Sequence, residues 1–146
     1  MKENQSVPEY PLSENSAQDL KTNRGTLLED ISMSALLDGQ LSAEDLRIRD
    51  ETLRAQAAIA RKNGYLKLAD NLSRASELTR VPNEEILRMY EALRPGRSTY
   101  AELVTLAEKL ENQYQAYLTA KFVLEGAQVY QERDLLRKPE NSLEDN

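Results

Sequence analysis

The chain has 146 residues, a net charge of −6 and an isoelectric point near 4.8. That length is room for one domain, and the acidic balance argues against a nucleic-acid backbone or an anionic membrane as partner. Cysteine and histidine are absent, which removes disulfides, thiolate nucleophiles, zinc sites built on sulfur or imidazole, and the commonest general base near neutral pH. Richness in Leu, Ala, Glu and Arg, with one Phe, no Trp and few glycines, predicts an all-α fold. No run of about eighteen apolar residues could span a membrane, and no apolar segment of a secretory signal follows Met1. A cytoplasmic chain is expected.

Residues 1–25 are polar and carry Pro8 and Pro11, so an extended N-terminal arm is expected, with Tyr10 and Leu12 as apolar anchors. A helical domain over residues 26–138 should follow. Its first part reads as helical stubs: one from about Ser32, closed by Gly39, and a capping motif at Ser42 to Asp45 with no long helix behind it. Residues 50–79 read as a helical hairpin. Asp50 caps its first helix and Asn63-Gly64 ends it. Leu53, Ala57 and Ala60 make one apolar stripe on that helix, and Ala55, Ala58 and Ile59 another, so it should be covered on two sides. On the second helix Leu68, Leu72, Ala75 and Thr79 should face inward.

Val81-Pro82-Asn83 breaks the chain, and Asn83 can cap a short helix burying Ile86, Tyr90 and Leu93. Glu84 and Glu85 suit that helix's N-terminus better than a metal site. Arg94-Pro95-Gly96-Arg97 is a turn. Its arginines can grip an anion bidentately, but pairing with acids or helix carbonyls is the favoured reading.

Residues 98–137 contain no proline and read as one long helix of about 55–60 Å. Thr99 and Glu102 form a capping box at its start and Pro139 stops it. Leu103, Leu106, Ala107, Leu110, Tyr114, Tyr117 and Leu118 share a stripe that turns polar beyond Ala120, at Lys121, Glu125 and Gln128. Phe122, Val123, Leu124 and Tyr130 lie around the other sides. Two readings are open: the second half is pushed into a partner, or the helix breaks near Gly126 and packs at home. Residues 139–146 read as a disordered acidic tail.

Six stretches fall in order along nearly the whole chain: residues 9–12 (EYPL), 45–48 (DLRI), 51–60 (ETLRAQAAIA), 74–82 (RASELTRVP), 92–99 (ALRPGRST) and 122–127 (FVLEGA) through Tyr130 and Arg133. Together they resemble the small (γ) subunit of the adenosylcobalamin-dependent diol and glycerol dehydratases. Lys121 and Gly126 depart from that pattern, where a small residue and an alanine are expected. The resemblance implies large, medium and small subunits paired into a dimer of heterotrimers. Adenosylcobalamin would lie between the large and medium subunits, and radical dehydration of glycerol or propane-1,2-diol to an aldehyde would take place in the large one. The small subunit would be helical, pack on the large one, and hold no catalytic, cofactor or metal residue. Its partner-facing residues are expected to be Tyr10, Arg94, Arg97, Phe122, Val123, Leu124 and Tyr130. Only nine residues precede Tyr10, where diol dehydratases that enter propanediol microcompartments tend to carry a longer leader. The short form leans toward glycerol dehydratase. The readings from other classes are a stand-alone helical adaptor that self-associates through the long helix, and an enzyme working on carboxylates alone.

Overall fold

The computed structural model describes residues 7–138. Among them are seven α-helices and no β-strand, apart from an isolated bridge between Lys21 and Leu27. The chain divides into two compact units, Met1–Thr79 and Arg80–Asn146, at the break that Val81-Pro82-Asn83 predicts.

The first unit begins with α1 (Leu12–Asn15), a 3-10 turn at Ala17–Asp19, a second at Leu28–Asp30, and α2 (Met33–Leu37). Residues 12–25 are therefore folded against their own unit rather than extended. Leu12 is buried, as an anchor should be, whereas Tyr10 is 73% exposed. Gly39 follows α2 at φ +71°, closing the stub as expected, and the Ser32 hydroxyl caps its start by accepting from the Ala35 N–H at 3.1 Å.

The expected hairpin is present as α3 (Asp50–Lys62) and α4 (Leu66–Leu78). Asp50 occupies the first turn of α3, with Arg49 at the cap; acids there and Arg61 and Lys62 in the last turn complement the helix dipole. Gly64 takes φ +83°, and the Asn63 side chain donates to the Ile59 carbonyl at 2.8 Å. Leu53, Ala57 and Ala60 are buried as predicted. The face of α4 is rotated from the predicted one. Ala69, Ser76 and Glu77 are buried, while Leu68 is 51% exposed and Thr79 is exposed. Small residues let α4 approach the alanines of α3 closely, which leucine would prevent.

The second unit holds α5 (Asn83–Ala92), α6 (Tyr100–Tyr114) and α7 (Tyr117–Glu132). On α5 the buried side chain is Met89, not Tyr90, which is 60% exposed; Pro82, not Asn83, stands at its cap. The Thr99–Glu102 capping box forms with both hydrogen bonds in place. The single long helix does not form. It ends at Tyr114, Gln115 turns to φ 54°, and α7 runs back beside α6. The return is closed at the far end: Arg137 N–H donates to the Ser98 carbonyl at 2.8 Å, and its guanidinium meets Glu102 at 2.6 Å. The break thus falls at Gln115–Ala116, eleven residues before Gly126, which lies inside α7.

This reversal accounts for the drifting stripe. Leu103, Ala107 and Leu110 on α6, with Ala116 and Thr119, Ala120, Val123 and Ala127 on α7, are the buried seam. Each helix has its own regular spacing of three and four. Burying a large member such as Leu103 or Val123 stabilises the hairpin by about 1.5–3 kcal/mol. Pro139 and the tail expected at residues 139–146 lie outside the described residues.

Gln115 holds a left-handed conformation without being glycine, at an intrinsic cost of about 1–2 kcal/mol. Glycine removes that cost, and the greater entropy of its unfolded chain offsets part of the gain. Gln115→Gly should therefore raise stability by about 0.5–1 kcal/mol in urea unfolding, and Gln115→Val should lower it. A loss on introducing glycine would show that the Gln115 side chain itself stabilises the turn.

Candidate partner interface

In the first unit one carboxylate ties distant segments together. Ser42 to Asp45 makes half of a capping box without a helix: the Asp45 carboxylate accepts from Ser42 N–H and from its hydroxyl, both at 2.9 Å, while the Asp45 N–H donates to the Ser42 carbonyl. The same carboxylate accepts from the Thr22 hydroxyl at 2.8 Å, the Arg24 guanidinium at 3.0 Å and the Thr26 hydroxyl at 3.4 Å. Its side chain is wholly buried. The Thr22 oxygen in turn accepts from the N–H groups of Arg24 and Thr26, shaping the turn that carries them. The Ser42 N–H bond, then the Thr22 and Ser42 hydroxyls and the Arg24 charge, lower the carboxyl from 3.8 to about 2, although burial pushes the other way.

Several large apolar side chains of the same unit lie on the surface. Met33, Leu37, Leu46 and Ile48 are 70%, 79%, 64% and 55% exposed. Beside α3 and α4 lies a second apolar region, a groove of about 740 Å³ lined by Pro8, Tyr10, Ile59, Tyr65, Leu68 and Leu72 among others.

The residues predicted to face a partner are distributed as follows. Tyr10 lines the 740 Å³ groove. Arg94 and Arg97 are exposed, and both are held by one carboxylate, Glu91, at 3.0 and 3.1 Å. Gly96 between them takes φ +76° and donates to the Leu135 carbonyl at 2.7 Å. Their turn thus closes the end of the α6–α7 hairpin, the structural role favoured above. Phe122 is half exposed and Leu124 intermediate. Tyr130 is partly buried, its hydroxyl donating to the Leu93 carbonyl. Val123 is fully buried in its own chain and presents no surface to a neighbour. Its assignment to an interface fails because α7 folds back on α6 and turns that side chain into the seam. Of these seven residues Tyr10 belongs to the first unit and the other six to the second.

Glu85, weighed above against a metal role, meets Lys109 at 2.7 Å and Arg88 at 2.9 Å, and the Lys109 hydrogen bond holds it below the ordinary carboxylate range. Among the described residues no group of three acidic side chains is placed to hold a metal ion, and no helix is long and apolar enough to cross a membrane.

Fold and surface together define an all-helical chain that keeps many of its large apolar side chains outside. The model of the dehydratase small subunit family matches residues 5–137. The propanediol dehydratase small subunits of Salmonella typhimurium and Citrobacter freundii are each 46% identical to it over 131 residues, covering 90% of this chain and 76% of the relative. The chain belongs to the dehydratase small subunit family, and is therefore a component of a multi-subunit dehydratase.

The Asp45 knot makes a pH prediction. A carboxyl lowered on folding contributes stability that is complete above 3.8 and is lost as pH falls toward about 2. Asp45→Asn should lower the thermal midpoint by several degrees at pH 7 and shrink the difference between variant and parent as pH falls across that window. Equal loss at pH 7 and pH 2 would show that the charge on Asp45 is not what stabilises the knot.

Proposed function

We propose that this chain is the small subunit of an adenosylcobalamin-dependent dehydratase acting on glycerol or propane-1,2-diol, and that it serves assembly rather than chemistry. The observation that carries the reading is the 46% identity to propanediol dehydratase small subunits over 90% of the chain. The enzyme would be a dimer of heterotrimers in the cytoplasm, free or within a microcompartment. Glycerol would lose water to give 3-hydroxypropionaldehyde, and propane-1,2-diol to give propionaldehyde.

When bound, the cofactor supplies the radical that abstracts hydrogen from the diol. The 740 Å³ groove is walled largely by aliphatic and tyrosine side chains, and the reading assigns this chain no part of the cofactor site. On this reading the cofactor and the reacting atoms belong to the other subunits. What this chain supplies is surface. Phe122 and Leu124 on α7, with Tyr10, Arg94, Arg97 and Tyr130, are proposed to meet the large subunit.

Co-expression with the large and medium subunits tests the reading. Omitting this chain should abolish assembly or reduce turnover severely; full assembly and turnover without it would refute the proposal. Phe122→Asp should weaken association at least about tenfold, as a charge in a dry interface does, with helicity of the isolated chain nearly unchanged by circular dichroism. An equal loss of helicity would assign Phe122 to the chain's own packing.

A further inference from the structure

The Asp45 knot carries a groove that the proposed interface does not use. It is open, of about 190 Å³, with Leu20, Leu28, Ile31 and Ile48 as apolar lining and Lys21, Arg47 and Arg49 as basic edge. Leu28, Ile31 and Ile48 are 37%, 36% and 55% exposed. One wall comes from residues 20–31 and the other from residues 45–52. The Asp45 carboxylate lines the groove, but its oxygens are engaged by Thr22, Thr26, Arg24 and Ser42, the bonds that hold the two walls together. The rigidity of this seat comes from within the unit, so an incoming segment need not order it.

The charge at the edge is opposite to that of the chain. In a protein of net charge −6, three cations meet at one groove. The Arg49 guanidinium donates to the Lys21 carbonyl at 3.2 Å, which brings these two residues together. Lys21 makes no ion pair among the described residues. Arg47 meets Glu44 at 3.3 Å on the surface, and the half-buried Arg49 meets the exposed Glu51 at 3.2 Å. Each guanidinium retains unused N–H donors, and exposed pairs of this kind exchange readily for a better-placed acid.

We infer that this groove seats a segment of the larger dehydratase subunit in which an apolar side chain stands beside a carboxylate. The inference rests on the assembly role proposed above and adds to it a second docking point, on the first unit. The cavity accepts one large apolar side chain, and the basic edge selects the acid next to it. A second copy of the chain is the poorer occupant. A two-fold interface through this face is self-complementary and would set the three cations against their own copies.

The test is the affinity of the chain for the complex of large and medium subunits at about 50 mM and about 500 mM salt. Ile48→Ser should weaken binding about tenfold at both. Lys21→Glu combined with Arg47→Glu should weaken it about tenfold at low salt and far less at high salt. Both variants alter exposed positions, and circular dichroism confirms that each remains helical. Parent-like binding, within about twofold for both variants, overturns the groove assignment while leaving the assembly role intact. A parent chain that fails to bind the other subunits overturns both. A homodimer of the chain alone, broken by Ile48→Ser in sedimentation, gives the groove to a second copy and overturns the inference.

Discussion

The size of the side chains that close the two hairpins constrains everything else in this structure. Ala57, Ala60 and Ala69 lie in the first unit's core, and Ala107, Ala116, Ala120 and Ala127 in the α6–α7 seam. Alanine lets two helices approach closely, but each one buries little apolar area. Among the described residues the large side chains in the core include Leu53, Met89, Leu103, Leu110 and Val123, whereas Leu37, Leu46, Tyr65, Leu87 and Tyr90 are each at least 60% exposed. Single exposed leucines are ordinary. A chain whose core is half alanine while this many large apolar side chains stay outside is not: its greatest remaining hydrophobic gain lies in association.

The same fact explains which helix faces were legible in the sequence. Where stripe and seam coincide, as for Leu53, Ala57 and Ala60, periodicity finds the core. On α4 the most hydrophobic stripe contains Leu68, yet the face turned inward contains Ala69 and Ser76. Reading by hydrophobicity selects the leucines because it weighs transfer energy, and close approach rewards smallness. On α5 the prediction misses by one position, Tyr90 for Met89; a flexible thioether fills an irregular gap that a rigid phenol cannot. Some caps were legible because their chemistry is local, although the expected caps Asp50 and Asn83 fall one position inside their helices. Gly39, Asn63-Gly64 and the Thr99–Glu102 box each close within a few residues.

Two features were not legible, for different physical reasons. The reversal at Gln115 uses neither glycine nor proline, so no turn signal marks it. The change of stripe beyond Ala120 was its only trace, and that change fits an outward-facing helix equally well. The Asp45 knot shows in sequence only as Ser42-x-x-Asp45. Its other donors, Thr22, Arg24 and Thr26, lie about twenty residues away and reach the carboxylate only once residues 20–27 have turned. Buried polar networks that close over such separations carry no periodic signal.

The knot also bears on why a subunit without histidine or cysteine repays being rigid. Binding through an apolar surface is opposed by the entropy of ordering whatever is mobile on either side. A stretch of 3-10 turns and stubs such as residues 17–49 has little regular backbone bonding to hold it. Left to itself it would be ordered only on docking, and the affinity would fall by that cost. A buried carboxylate accepting from two backbone-shaping hydroxyls, a turn N–H and a guanidinium orders it beforehand. The polar interaction least like a conventional core is thus what fixes the geometry of the apolar side chains around it. In a family defined by membership in a larger dehydratase, that division of labour is physically economical: hydrogen bonds set the shape, and exposed hydrophobic area supplies the affinity.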